Sequence, residues 1–120
     1  MNTDSASILT SVKKAIGGIY EDDEDFDSDI IMFINSELAE LSQLGVGPKE
    51  GFSIEDKKAL WTDLITDPRL NFVQQYVTLK VKMVFDPPSS SFVLEALNRK
   101  CEELKWRIII AAEHIGNQEE

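Results

Sequence analysis

The stretch MVFDPPSSS, residues 83–91, separates two of the longest apolar segments of the chain. Pro87 restricts Asp86 to extended geometry and Pro88 prolongs the break, so a helix that enters this stretch has to end near Phe85. The three serines that follow supply side chains that cap the start of another helix. Asp86, Pro87 and Pro88 therefore predict an interhelical elbow that folds two helices back on each other as an antiparallel pair.

The segment before the elbow fits two kinds of secondary structure. In YVTLKVKMVF, residues 76–85, apolar and polar residues alternate as in a half-buried strand that is rich in β-branched residues. A helical spacing fits equally well, through Leu70, Val73, Val77, Val81 and Val84. Asp67-Pro68 pairs a capping side chain with a proline at the first helical position, and no turn signal follows before the elbow. We therefore favour a helix at about 68–85.

The segment after the elbow has the clearest pattern in the sequence, an apolar seam with steps of three and four residues. Its members are Leu94, Leu97, Cys101, Leu104, Ile108, Ala111 and Ile115. The seam predicts a helix at about 90–115. Trp106, Ile109 and Ile110 lie off the seam, which indicates that this helix is either central in its own domain or offers a second surface to another chain.

The first half of the chain predicts two more helices. One spans about 4–16, behind a cap cluster at residues 3–5 and ahead of Gly17-Gly18; the other spans about 28–44, with Asp27 as its cap, and ends at Gly45. Between them, YEDDEDFDSD carries seven carboxylates in ten residues, whose repulsion disfavours compact structure along most of its length. Residues 46–66 are expected to form an irregular loop with a short helical turn around Trp61.

These elements predict an all-α fold, a compact bundle of about four helices in one domain at 1–115, followed by a flexible tail at 116–120. The charge is strongly acidic: twenty-two Asp and Glu against twelve Lys and Arg give a formal net charge of −10. This balance opposes tight binding to DNA, RNA or an anionic membrane. A lone cysteine, the absence of a secretion signal and the shortness of the apolar runs predict a protein of a reducing cytoplasm that does not span a membrane.

Motifs that carry chemistry are weak or incomplete. Asp25, Asp27 and Asp29 alternate as in the first half of an EF-hand loop, but the glycine and glutamate of its second half are missing. Glu37 and Glu40 have the spacing of an all-α magnesium-dependent nucleotide pyrophosphohydrolase, without a second acidic pair on a facing helix. The single histidine, His114, and the single cysteine, Cys101, are both expected to be structural. We therefore predict no catalytic residue, no cofactor and no metal site.

The order of these features resembles the head-tail connector proteins of long-tailed double-stranded DNA bacteriophages. A short helix ILTSVKKAIG precedes the acidic entry FDSDI to a long helix that ends near LGVGP, and FSIEDKKALWTDLI follows. After these come VQQYVTLKVKMVFDPP and SSSFVLEALNRKCEELKWRI. The resemblance covers residues 8–108, and its most specific elements are FDPP with the serines behind it and the late ELKWR.

The resemblance implies an all-α fold, with a helix at 76–85, and no enzymatic activity. It further implies a ring of subunits, commonly twelve, that extends the portal channel through which DNA passes at the head-tail junction of the virion, after assembly in the host cytoplasm. The expected partners are copies of the chain itself, the portal protein and the next tail-side component, with double-stranded DNA only as cargo in transit. Candidate contact residues are Trp106, Ile109 and Ile110, with Trp61 next, because aromatic anchors dominate interface energies; these residues also suit the core of the monomer.

Two alternatives come from other functional classes. One is a small acidic helical adaptor or regulator that binds a host protein through a groove or a helix face. The other is the pyrophosphohydrolase that uses Glu37 and Glu40. A ring in solution favours the connector, whereas magnesium-dependent nucleotide turnover favours the enzyme.

Overall fold

The computed structural model describes residues 6–67 and 69–119, with side chains described as far as Glu113. In these residues the regular structure is helical, apart from one isolated β-bridge between Ser7 and Leu60. This confirms the predicted all-α fold. Residues 76–85, whose pattern also fits a strand, are helical. The elements are α1 (Ile8–Ile16), α2 (Ile19–Asp22), a 3-10 turn (Glu24–Phe26), α3 (Asp27–Gln43), α4 (Trp61–Leu64), α5 (Leu70–Phe85) and α6 (Ser91–Glu119).

Helices α5 and α6 form an antiparallel pair. Helix α5 ends at Phe85 and α6 begins at Ser91, so Asp86, Pro87 and Pro88 lie in the connection. The Asp86 N–H donates to the Lys82 carbonyl at 2.7 Å and closes the last turn of α5. The Ser90 hydroxyl accepts from the Val93 N–H at 3.4 Å, which caps α6 as the serines predict.

The core lies where α1, α3 and α5 meet. Their apolar faces repeat at helical spacing and are covered further by the loop after α3 and by the middle of α6. The residues that lose nearly all contact with solvent are Ile8, Val12, Ile30, Ile34, Leu38, Leu41, Val46, Val73, Val77, Val81, Leu104 and Ile108.

Among the seam residues of α6 whose side chains are described, which exclude Ile115, only the middle ones are buried. Cys101, Leu104 and Ile108 pack into the core, whereas Leu94 remains exposed. A cleft of about 520 Å³ separates the start of α6 from the end of α5, lined by residues that include Leu79, Met83, Pro88, Val93 and Leu97. The elbow thus holds the first turns of α6 away from α5. The end of α6 also differs from the prediction, because the helix reaches Glu119.

Two predicted helix caps differ from the structure. The cap of α1 is Ser7, whose hydroxyl accepts from the Thr10 N–H at 3.3 Å, and the predicted cluster at residues 3–5 lies outside the described residues. Asp27 is the first residue of α3 rather than its cap. Its carboxylate instead lies 2.7 Å from the largely buried Lys13 ammonium of α1, because that buried cation needs a partner.

The acidic run folds into helical turns, contrary to the prediction. Tyr20 and Phe26, which bracket it, contact each other edge to face at a centroid distance of 4.9 Å. Tyr20 also packs on Phe85, at 5.3 Å, and Phe85 packs on Phe33 of α3 at 5.5 Å. Apolar contact of these rings holds the run against α3 and the end of α5, while Glu21, Asp22, Glu24 and Asp25 remain exposed.

The loop between α3 and α4 is fixed by two polar side chains. The Asn35 amide of α3 donates to the Ile54 carbonyl at 3.0 Å and accepts from the Ile54 N–H at 2.8 Å. The buried Arg69 guanidinium donates to the Gly45 carbonyl at 3.1 Å and pairs with the Asp67 carboxylate at 2.7 Å. Hydrogen bonds from Arg69 lower the pKa of Asp67.

Candidate interaction site on the last helix

The two tryptophans that the sequence singles out lie in opposite environments. Trp61 is 2% exposed, and its indole N–H donates to the Ser11 hydroxyl at 3.0 Å. It is therefore a core residue, and a partner cannot reach it in this fold. Trp106 is 60% exposed, Ile110 is 44% exposed, and Ile109 is half-buried beside them.

Trp106 and Ile110 lie along an apolar groove between α5 and α6. The groove has a volume of about 340 Å³, and its other lining residues are Phe72, Arg107 and Ala111. Apart from the Arg107 guanidinium, which pairs with the Glu103 carboxylate at 3.1 Å, the lining side chains are hydrophobic. A concave apolar surface with a polar group at its edge is typical of a binding site. We call it the α6 groove.

A second exposed apolar cluster surrounds the elbow at the other end of the helix pair. Phe92 is 74% exposed, and Val93 and Leu94, which follow it in the sequence, are exposed as well. Val84, in the last turn of α5, is also exposed. We call these four residues the elbow cluster. Helical spacing places Leu94 on the buried seam and so does not predict this cluster. The signal for it is FVL, residues 92–94, an apolar triplet too dense for one face of a helix.

The groove and the elbow cluster are well separated. Phe92 and Trp106 are fourteen residues apart on one helix, which corresponds to about 21 Å along its axis. The chain therefore carries two exposed apolar surfaces at different positions along the helix pair.

The acidic pair on α3 is part of the packing between helices. The Tyr76 hydroxyl of α5 donates to the Glu40 carboxylate, and burial, reinforced by this bond, raises the pKa of Tyr76. Burial also raises the pKa of Glu37, an effect that the neighbouring Lys80 opposes. The Glu40 carboxylate is engaged by Tyr76, and burial disfavours the charged form of Glu37 that a metal ion would need, so the two groups do not form a paired metal ligand.

The other chemical candidates also have structural roles. Asp27 of the partial EF-hand pattern pairs with Lys13, and no group of three or more metal-ligating side chains converges within the part of the chain whose side chains are described. Cys101 is buried, and this burial raises the pKa of its thiol. The side chain of His114 lies outside the described residues, so its role stays a prediction.

The fold and its exposed surfaces define a class of protein, a small helical protein with apolar helix faces exposed to solvent. None of the described helices is both long enough and apolar enough to cross a bilayer. The family model described as "Phage connector protein" matches residues 8–114, nearly the whole length. The chain belongs to this family, which confirms the resemblance to phage head-tail connectors and gives it a structural role in the phage particle. No curated protein and no solved structure matches the chain significantly.

Proposed function

We propose that the chain is one subunit of an oligomeric ring that joins the phage head, at its portal protein, to the tail and surrounds the DNA channel. Family membership supports the connector role. The exposure of Trp106 supports the proposed self-association. Its side chain is 60% exposed in an apolar groove, and large aromatic side chains are the usual anchors of protein interfaces.

A ring requires heterologous contacts, in which one surface of a subunit meets a different surface of the next. The α6 groove and the elbow cluster meet this requirement, because they are different surfaces at opposite ends of the α5–α6 pair. In the proposal, Trp106, Ile109 and Ile110 form one side of each subunit contact and Phe92 belongs to the other. The resemblance implies a ring that is commonly of twelve subunits.

The ring has the portal protein on one side and the next tail-side component on the other, at the head-tail junction of the virion. It assembles in the host cytoplasm and catalyses no reaction. Double-stranded DNA passes through without specific binding. The formal net charge of −10 supports this part of the proposal, since carboxylates that line a channel prevent phosphate contacts, each of which adds affinity.

The test is assembly on the cognate portal protein, observed by negative-stain electron microscopy and by mass measurement. We expect rings for the natural chain and an at least tenfold loss of rings for Trp106→Ala, because an interface anchor contributes more than about 2 kcal/mol. Met32→Ala is the matched control, since Met32 is also an exposed apolar residue but lies on α3. Rings that form equally well with Trp106→Ala would contradict the assigned surface, and no ring with the natural chain on its portal would contradict the proposed function.

A further inference from the structure

The outward face of α6 carries a patterned stripe of exposed residues. Phe92, Arg99, Glu103, Trp106 and Ile110 follow one another at helical spacing on the side of the helix opposite the buried seam. All five are exposed. The two ends of the stripe are apolar and its centre is charged. We call these residues the outer stripe.

The outer stripe is complementary to itself when two copies of α6 run antiparallel. With a two-fold axis at the level of Cys101, Phe92 lies nine residues before the axis and Ile110 nine residues after it, so each faces the other in the partner copy. Arg99 lies two residues before the axis and Glu103 two residues after it, so these opposite charges also meet. A two-fold axis makes each contact twice.

Trp106 has a complementary neighbour in the same register. It lies five residues after the axis, at the level of Ala96 in the partner copy, which lies five residues before it. A small exposed residue opposite a large aromatic one allows the two helices to approach closely, as in the packing of ridges into grooves. The apolar residues and the central charges are thus both matched in this register.

Other arrangements of two α6 helices are disfavoured by the same charges. A parallel pair places Arg99 against Arg99 and Glu103 against Glu103. An antiparallel pair with Phe92 opposite Trp106 again brings the two Arg99 side chains together at the axis. Like charges at an interface are destabilising and exclude the wrong register.

We propose that the free protein forms a two-fold symmetric dimer through the outer stripe, with a second copy of this chain as the partner. The stripe spans residues 92–110, about 27 Å of helix, a short contact for a stable dimer, so the dimer is expected to dissociate readily. This inference does not depend on the ring. It has a consequence for the ring, however, because the dimer covers Trp106 and Ile110 and has to open before those residues contact a neighbour there.

The test is a pair of charge reversals, Arg99→Glu and Glu103→Arg, with self-association measured by analytical ultracentrifugation over a range of concentrations. In the natural chain we expect a monomer–dimer equilibrium. Each reversal alone puts like charges at both central contacts, so the dissociation constant should rise at least about tenfold. An equimolar mixture of the two variants restores both opposite-charge contacts, so it should form a heterodimer.

Two controls separate the dimer from general effects of charge and from loss of structure. Lys58→Glu changes the net charge as much as Arg99→Glu does, on an exposed loop near α1, and should leave the dimer unchanged. Circular dichroism checks that Glu103→Arg, which loses the pairing with Arg107 at 3.1 Å, remains helical.

Disulfide formation tests the register. A mixture of Phe92→Cys and Ile110→Cys chains should yield a cross-linked dimer, whereas the Phe92→Cys chain alone should not. A natural chain that remains monomeric throughout the micromolar range, a dimer that tolerates both charge reversals, or a mixture that fails to pair would overturn the inference. Ring assembly on the portal is a separate measurement, so its failure bears on the proposed function and not on the dimer.

Discussion

At the scale of single residues, the two tryptophans differ in burial, since Trp61 lies in the core and Trp106 is exposed. The sequence names both as candidate contact residues, Trp106 first and Trp61 next. Burial depends on which elements pack around a residue, and a neighbouring pattern of apolar residues does not specify this. Trp61 lies against Ser11, fifty residues away in the chain, a contact that no local pattern indicates.

Truncation of each tryptophan should therefore have a different effect. Trp61→Ala should lower the free energy of unfolding by about 3–5 kcal/mol, because it removes a buried aromatic side chain and leaves a cavity. Trp106→Ala should lower it by less than about 1 kcal/mol, as expected for an exposed position. Urea unfolding followed by circular dichroism, at a concentration low enough to keep both variants monomeric, measures the two values. A loss for Trp106→Ala as large as that for Trp61→Ala would place Trp106 in the core.

At the scale of elements, the contact between α3 and α5 should make stability depend on pH. Burial raises the pKa of Glu37 above its ordinary value of 4.5, and Lys80 opposes this effect. The folded chain therefore holds the Glu37 proton more tightly than the unfolded chain does. This contribution to stability is complete below about pH 4.5 and is lost as the pH rises through the folded pKa.

Glu37→Gln should remove that dependence. The variant keeps an uncharged polar group at the same position, so its stability relative to the natural chain should increase as the pH is raised from 4.5 towards neutrality. Thermal unfolding at a series of pH values measures the difference. Glu50→Gln, on an exposed part of the loop after α3, is the control and should show no such trend. If the difference in stability between Glu37→Gln and the natural chain does not change with pH, Glu37 is not the cause of the pH dependence.

The helices themselves are largely predictable from the sequence, because their periodicity, glycine stops and proline breaks are local signals. The elbow at Asp86–Pro88 depends only on backbone restrictions of proline. The partners of the helices are not local. The sequence does not reveal that Asp27 pairs with Lys13, or that Tyr20 and Phe26 pack together and hold the acidic run. It also does not reveal that Leu94 is exposed, although its spacing places it on the buried seam. These outcomes depend on how distant elements pack.

At the scale of the whole molecule, the acidic run and the α6 groove lie at different ends of the α5–α6 pair. Tyr20 of the run at residues 20–29 packs on Phe85 at the end of α5, whereas the groove lies beside Phe72 near the start of α5. In the proposed ring, this separation leaves the α6 groove free to contact a neighbouring subunit while the acidic surface remains hydrated. It also keeps the acidic surface repulsive towards any polyanion that comes near.

The net charge predicts that the free chain does not bind double-stranded DNA. Protein–DNA affinity comes largely from cations that replace the counterions of phosphate groups, and a chain with a formal net charge of −10 has no such excess. Fluorescence anisotropy of a labelled duplex at low salt should show no binding. Reversal of the exposed Glu21, Asp22, Glu24 and Asp25 to lysine, which changes the formal net charge from −10 to −2, is the matched control and should give weak, salt-sensitive binding. If the natural chain binds the duplex and the binding weakens as salt is added, a local cluster of basic residues outweighs the overall charge. The proposed channel that repels DNA would then be contradicted.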